Sequence, residues 1–108
     1  MVKNRITLSD LGAPNVVLAN TYFWVSGCKS KDRRYNEKYR LNQVYDWLEK
    51  LNEKYGLNMD IQIVDHTVNG YVDGKCVVYF YYKESCSYVY RKQNFKELLK
   101  LIKMKIYG

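Results

Sequence analysis

The feature that most constrains the fold of this chain is a stripe of apolar residues at helical spacing near its middle. Its members follow one another at intervals of three or four positions: Leu41, Val44, Leu48, Leu51 and Tyr55. Such spacing places them on one side of an α-helix, which needs a second element to cover it. Gly56 favours the left-handed conformation that ends a helix, and Leu57 can make the closing apolar contact. A helix is therefore predicted over residues 35–55.

After this helix the apolar period becomes that of β-strands. Residues 59–63 alternate apolar with polar side chains, as in a half-buried strand, and residues 75–83 are apolar on both faces, as in a central strand. Asp73-Gly74 directly precedes the second strand. We therefore expect the tight hairpin there, or one wider loop that also covers Asn69-Gly70.

The C-terminal part of the chain predicts a second hairpin and a second helix. A turn at Glu84-Ser85 leads into a strand over residues 87–92. Asn94 and Glu97 have the spacing of a capping box, which satisfies free amides at a helix start. The helix that follows has its own apolar stripe: Phe95, Leu98, Leu99, Ile102 and Ile106.

The N-terminal segment permits two interpretations. Ile6 and Leu8 alternate with polar neighbours as in a short edge strand, which we favour, whereas Ser9-Asp10 can equally begin one helical turn. After the turn signal Pro14-Asn15, residues 16–25 are rich in β-branched and aromatic side chains and predict a strand.

These elements together predict a single α+β domain over residues 1–108. Its small antiparallel sheet is a three-stranded meander plus one or two N-terminal strands, packed with two helices in the order β(β)-α-β-β-β-α. From residue 35 onward this order is similar to that of double-stranded-RNA-binding domains. The second helix lacks their glycine-lysine entry motif, so the similarity transfers no function.

Charge is the best indication of a partner. The chain has 18 lysines and arginines against 11 acidic residues, a net charge of +7, and a sequence pI of about 9.3. Such an excess favours polyanions as partners. The twelve tyrosines are weaker evidence, because AT-rich coding also raises tyrosine content. The three cysteines are an odd number for a secreted disulfide framework, so a cytoplasmic setting is expected. No apolar run has the length of a membrane helix, and no membrane partner is expected.

The first candidate binding site is the basic segment around the start of the first helix. It carries six cations, Lys29, Lys31, Arg33, Arg34, Lys38 and Arg40, against only Asp32 and Glu37. Arginine can hold a phosphate through two hydrogen bonds, and clustered cations release counterions from nucleic acid. Tyr35 and Tyr39 can stack on unpaired bases beside them. The alternative is an ordinary solvated loop and helix start.

A second candidate is the tyrosine-rich pair of C-terminal strands, and a third is a strip of lysines. The strands carry Tyr79, Tyr81, Tyr82, Tyr88 and Tyr90, with Arg91 and Lys92 at their end. Aromatic rings beside cations can hold single strands, but the helices must cover one face, so at least half of these rings are expected in the core. The strip, Lys96, Lys100, Lys103 and Lys105, is expected to support binding or only solubility.

Catalytic and metal sites are only weakly indicated. His66 is the only histidine, and no nucleophile motif surrounds Cys28. No cysteine or histidine pair has ligand spacing, so neither a metal nor a cofactor is expected. A small metal-independent ribonuclease built from lysines, arginines and a tyrosine is a further alternative.

The leading hypothesis is a non-enzymatic module that binds nucleic acid, DNA or RNA, or a nucleoprotein complex, with low sequence specificity. The alternative is a small inhibitor or adaptor of the kind that phages and mobile elements direct against host defence or nucleic-acid-processing enzymes, as anti-CRISPR proteins do. Its basic patch would then dock on an acidic protein surface, with tyrosines as anchors. The oligomeric state is not predicted.

Overall fold

The computed structural model describes residues 6–18, 30–84 and 89–107, without the side chains of residues 30–36, 84 and 89. Along this part of the chain the helices and strands are α1 (Asn15–Leu18), α2 (Ser30–Tyr55), β1 (Asp60–Val64), β2 (Thr67–Val72), β3 (Lys75–Glu84), β4 (Val89–Asn94) and α3 (Lys96–Tyr107). The predicted α+β class is confirmed.

The strands form one antiparallel sheet in the order β1-β2-β3-β4, so each strand pairs with its neighbour along the chain. The tight hairpin predicted at Asp73-Gly74 is confirmed, and both residues have positive φ, 53° and 80°. Asn69-Gly70 lies inside β2. A turn at Asp65-His66, closed by pairing of Val64 with Thr67, follows the predicted first strand, and β2 after it is a strand that was not predicted. The meander therefore has four strands where three were predicted.

The connection between β3 and β4 is longer than the sequence indicated. Glu84, the last residue of β3, pairs with Val89 of β4, and Lys83 pairs with Tyr90. A two-residue turn at Glu84-Ser85 is therefore wrong, because the chain between the paired residues is four residues long. Cys86 and Tyr88 lie outside the described residues.

The N-terminal segment departs most from prediction. Where an edge strand was favoured, residues 8–12 form turns, and Thr7 and Asp10 exchange two bonds: the Thr7 amide donates to Asp10 Oδ2 (3.0 Å) and the Asp10 amide to Thr7 Oγ1 (3.3 Å). The strand predicted over residues 16–25 is wrong at its start, because Val16 to Leu18 belong to α1. The rest of that strand, residues 19–25, lies outside the described residues.

Helix α2 ends as predicted but begins earlier. The amide of Leu57 donates to the Asn52 carbonyl (3.2 Å), and Gly56 between them has φ 58°. This is the closing pattern that glycine makes possible. The helix starts at Ser30, so most of the basic segment predicted as a connection is helical. No helix in the described ranges has the length and apolar character needed to cross a membrane.

The core lies between the helices and one face of the sheet, which we call the inner face. Its sheet residues are Val68, Val78, Phe80 and Tyr82, and its helix residues include Val44, Leu48, Leu98 and Ile102, all at most 1% exposed. Phe95 links the two layers, because its ring lies 5.7 Å from that of Trp47 and 6.4 Å from that of Phe80.

Side-chain bonds fasten the N-terminal segment and the last helix to this core. The Trp47 indole donates to the Leu11 carbonyl (3.0 Å). Asn94 Oδ1 accepts from the Lys96 amide (3.1 Å), as expected at a helix start. The Glu97 carboxylate, predicted as the other half of the capping box, contacts Lys75 and Lys100 instead.

Candidate functional site

The face of the sheet opposite the core, which we call the outer face, carries the tyrosines that the core does not use. Because side chains alternate along a strand, the pairing of Tyr79 with Asn94, Tyr81 with Lys92 and Lys83 with Tyr90 places all six on this face. The same rows continue across β2 and β1: Asn69 and Gln62 beside Tyr79, and Thr67 and Val64 beside Tyr81.

The outer face is accessible in the described part of the molecule. None of its strand residues is buried: Tyr79 and Tyr81 are partly exposed, Lys83 and Lys92 are exposed, and Tyr90 is 50% exposed. Tyr82, one position from Tyr81, is only 1% exposed on the inner face. The expectation that at least half of these rings lie in the core is wrong for the described ones, because of Tyr79, Tyr81, Tyr82 and Tyr90 only Tyr82 is buried.

The charge of the outer face is uneven. Its lysines, Lys83 and Lys92, are diagonal neighbours on β3 and β4, about 7–8 Å apart at the backbone. The carboxylate of Asp60 lies at the opposite corner, where Asp60 pairs with Tyr71, and it accepts a hydrogen bond from Gln62 Nε2 (2.8 Å). Among the described residues of the outer face, the lysines therefore lie toward the β3–β4 connection and the Asp60 carboxylate lies at the other end.

Helix α2 brings a further lysine to the same end. Glu37 Oε2 lies 2.8 Å from His66 Nδ1, and the His66 carbonyl accepts from the Tyr82 amide (2.9 Å). Lys38 follows Glu37 on α2 and Lys83 follows Tyr82 on β3, so these contacts bring the backbone of both lysines to the end of the sheet at the β1–β2 turn, together with the Glu37 carboxylate. We call Lys38, Lys83 and Lys92 the basic corner.

The basic corner continues into the start of α2. Lys38 and Tyr39 are exposed, and the Tyr39 hydroxyl accepts from Gln43 Nε2 (3.4 Å). Lys31, Arg34 and Lys38 follow at intervals of three and four, which places their backbone positions along one side of the helix. The side chains of Lys31, Arg33, Arg34 and Tyr35 are not described, and Lys29 lies outside the described residues.

Two of the predicted binding cations make contacts inside the molecule. Arg40 is half-buried with its guanidinium 6.0 Å from the centre of the Tyr82 ring. Arg91 Nη1 donates to the carbonyls of Val16 (2.9 Å) and Val17 (3.4 Å). The structure thus gives both arginines a packing role, which sequence spacing did not indicate.

The lysine strip of α3 begins far from the basic corner. The Glu97 carboxylate forms ion pairs with Lys75 Nζ (3.2 Å) and Lys100 Nζ (3.6 Å). Helix α3 therefore starts beside Lys75, the first residue of β3. Lys83 lies eight residues further along that strand, about 26 Å away. Lys96 and Lys100 are exposed and Lys103 is partly buried. Lys96 and Lys100 are therefore separate from the candidate site.

Among the described residues, Glu97 is the titratable group whose pKa departs most clearly from its usual value. The hydrogen bond from Lys75, and next the charges of Lys100 and Lys75, lower the pKa of its carboxyl below the usual glutamate range. These are exposed contacts that neutralise part of the α3 charge. They leave Lys38, Lys83 and Lys92 unaffected.

The position of His66 gives no geometric support to a catalytic function, because its contact with Glu37 connects the β1–β2 turn to helix α2. The pair was hidden in the sequence by a separation of 29 residues. Within the described ranges, no three histidine, cysteine, aspartate or glutamate side chains lie close enough together to hold a metal ion. Cys28 lies outside those ranges.

Sequence reasoning missed Lys83 and the polar side chains between the tyrosines. The signal for Lys83 was present, since it continues the alternation of Tyr79 and Tyr81. Asn69 was assigned to a turn signal and Asn94 to a helix cap, and only the strand register places these two residues and Thr67 beside the rings.

Comparison of the chain with protein-family models, with curated proteins and with solved structures finds no match. The site is therefore interpreted from its own chemistry.

Proposed function

We propose that the protein is a non-enzymatic module that binds nucleic acid with low sequence specificity. The observation that carries the proposal is the basic corner, where three exposed lysines from α2, β3 and β4 lie at one end of the sheet. Across the described residues no ion pair joins any of the three to a carboxylate, in contrast to Lys75 and Lys100.

Phosphate is the anion that this arrangement suits. Lysines that contact phosphates release condensed counterions, and the affinity gained does not depend on base sequence. The proposed setting is the cytoplasm, where a free thiol such as that of Cys76 stays reduced.

The test is the salt dependence of binding. Fluorescence anisotropy with a labelled 20-nucleotide oligonucleotide should show affinity falling steeply between about 50 and 200 mM salt. The triple variant Lys38→Gln, Lys83→Gln, Lys92→Gln should bind more weakly and should reduce the slope of log K against log salt by about two to three.

A charge-matched variant controls for the loss of net charge. Lys50→Gln, Lys96→Gln, Lys105→Gln removes three exposed lysines outside the basic corner. It should keep most of the affinity and slope. Absence of binding by the unmodified protein, binding insensitive to salt, or equal losses in the two triple variants would contradict the proposal.

The second candidate function, an inhibitor or adaptor that binds a protein, has one observation in its favour. The end of α3 exposes three large side chains, Met104 (69%), Ile106 (45%) and Tyr107 (54%). Exposed apolar groups of this kind are typical of protein contacts. A host-lysate pull-down separates the two functions: a partner that is retained after nuclease treatment and is lost in Met104→Ser, Ile106→Ser favours the inhibitor.

A further inference from the structure

We propose that the outer face of the sheet is a stacking surface for the unpaired bases of single-stranded nucleic acid. The inference rests on the proposed function and adds the class of substrate. Tyr79, Tyr81 and Tyr90 supply the aromatic rings, and Lys83 and Lys92 supply contacts to the phosphates that connect the bases.

The first support is the spacing of the three tyrosines. Tyr79 and Tyr81 are two positions apart on β3, which is about 7 Å along the strand. Tyr90 lies diagonally across from Tyr81, because Tyr81 pairs with Lys92. Diagonal neighbours on a sheet are about 7–8 Å apart. The rings are thus close enough for successive bases of an extended strand to reach successive tyrosines.

The second support is that rings and cations alternate. Tyr81 pairs with Lys92 and Tyr90 pairs with Lys83, so each of these rings has an ammonium group across the strand boundary. A base stacked on either ring leaves its phosphate beside a lysine. This combination of aromatic side chains and positive charge holds single strands in general, because every base has a π-face.

The third support is the chemistry between the rings. Asn69 and Asn94 flank Tyr79 in the register, and Thr67 flanks Tyr81. Amides and a hydroxyl can donate to and accept from the edges of any base, which fits low sequence specificity. The carboxylate of Asp60 is held by Gln62 at the opposite corner and does not oppose a phosphate near the lysines.

Tyr81 is also positioned by its surroundings. The His66 ring lies 6.0 Å from the Tyr81 ring, edge to face at 65°. His66 is in turn held by Glu37 of α2. A ring that is already oriented loses less conformational freedom when a base stacks on it.

The same geometry excludes a duplex from the tyrosines. Bases within a duplex are stacked on each other, and a side chain on a sheet cannot reach their faces. The lysines can contact the backbone of either form. Single strands should therefore depend on rings and charges, and duplexes on charges alone.

The experiment separates these contributions with four probes and one pair of substitutions. The probes are 20-nucleotide oligo(dT) and oligo(U), a 20-base-pair DNA duplex, and inorganic polyphosphate, each compared by anisotropy or competition. In Tyr79→Val, Tyr81→Val the β-branched residues keep the strand preference while the rings are lost. The variant should lose about 25-fold or more in affinity for at least one oligonucleotide. It should keep the affinity of the unmodified protein for duplex and polyphosphate.

Two controls guard against a trivial loss. Tyr79→Phe, Tyr81→Phe keeps the rings and should keep the single-strand affinity. Tyr107→Leu removes an exposed ring on α3 and should also leave the single-strand affinity unchanged. A thermal melt of each variant identifies any that fails to fold.

The outcomes distinguish this inference from the proposed function. If the unmodified protein binds none of the probes, both fail. If it binds them all in a salt-dependent way and the valine variant loses no single-strand affinity, or loses duplex affinity equally, the proposed function stands and the stacking surface is overturned. A preference for oligo(U) or for oligo(dT) identifies RNA or DNA as the ligand.

Discussion

Strand β3 presents the same residue type in two environments. The Tyr82 ring is 1% exposed on the inner face and stacks near Phe80, with ring centres 6.2 Å apart. Its neighbours Tyr81 and Lys83 lie on the outer face among polar side chains. The difference teaches that the tyrosine content of the chain has no single meaning, because one ring of β3 is buried in the core while its neighbour is partly exposed on the outer face.

A similar contrast separates two adjacent cations on β4. Arg91 points inward and donates to carbonyls of α1, whereas Lys92 is exposed opposite Tyr81. Basic residues that are consecutive in sequence thus serve packing and surface charge in turn. The alternation of side chains along β4, and not the local charge density, decides which of the two cations lies on the inner face and which on the outer face.

The largest expected effect is on the inner face. Phe80→Ala removes a fully buried ring that contacts Tyr82 and Phe95, and should lower the free energy of unfolding by about 3–5 kcal/mol. Urea unfolding followed by circular dichroism measures it. Tyr79→Ala, one position away on the outer face, should cost about 1 kcal/mol or less. Equal costs would show that the two faces are not distinct.

The adjacent cations of β4 sharpen the comparison further. Arg91→Met leaves the Val16 and Val17 carbonyls without the charged donor and should cost about 1.5–3 kcal/mol. Lys92→Met should change stability by about 0.5 kcal/mol or less, because its ammonium group is exposed. Thermal and urea unfolding of the two variants give the values. A larger loss for Lys92→Met would contradict the assignment of faces.

The smallest expected effect concerns Glu97. Because its pKa is lowered in the folded state, its ionised form contributes stability above the usual glutamate pKa, and the contribution disappears as the pH falls through the lowered value. The melting temperatures of the unmodified protein and Glu97→Gln should therefore converge in acid and separate slightly near neutral pH. Added salt should reduce the separation, since the contacts are exposed. A separation that grows in acid would contradict the sign.

Local signals predicted the elements that depend on local chemistry. The apolar stripe and Gly56 predicted α2 and its end, and Asp73-Gly74 predicted the central hairpin. The turn at Asp65-His66 carries no glycine, and Asp65 itself takes the positive φ of 53°. Nothing in the spacing distinguished it from a continuing strand.

Long-range contacts account for the remaining differences. Val16 and Val17 favour a strand by residue type, but they lie in α1. There the Val16 carbonyl accepts a hydrogen bond from Arg91 and the Val17 carbonyl accepts one from Gln93, donors that lie more than 70 residues away in the sequence. The candidate site was predictable only in part for the same reason. Residue types marked lysines and tyrosines, while the pairing of β3 with β4 decided that Lys83 and Lys92 lie with Tyr81 and that Tyr82 does not.

The most direct test of a ligand surface on the outer face is nuclear magnetic resonance of tyrosine rings labelled with carbon-13, during titration with a single-stranded oligonucleotide. The rings of Tyr79, Tyr81 and Tyr90 should shift together as the ligand is added, because bases stack on them. The ring of Tyr82 should stay unchanged, since it is buried on the other face of the same strand. Shifts confined to Tyr107 and other rings of the helices, with none at Tyr79 and Tyr81, would contradict the account.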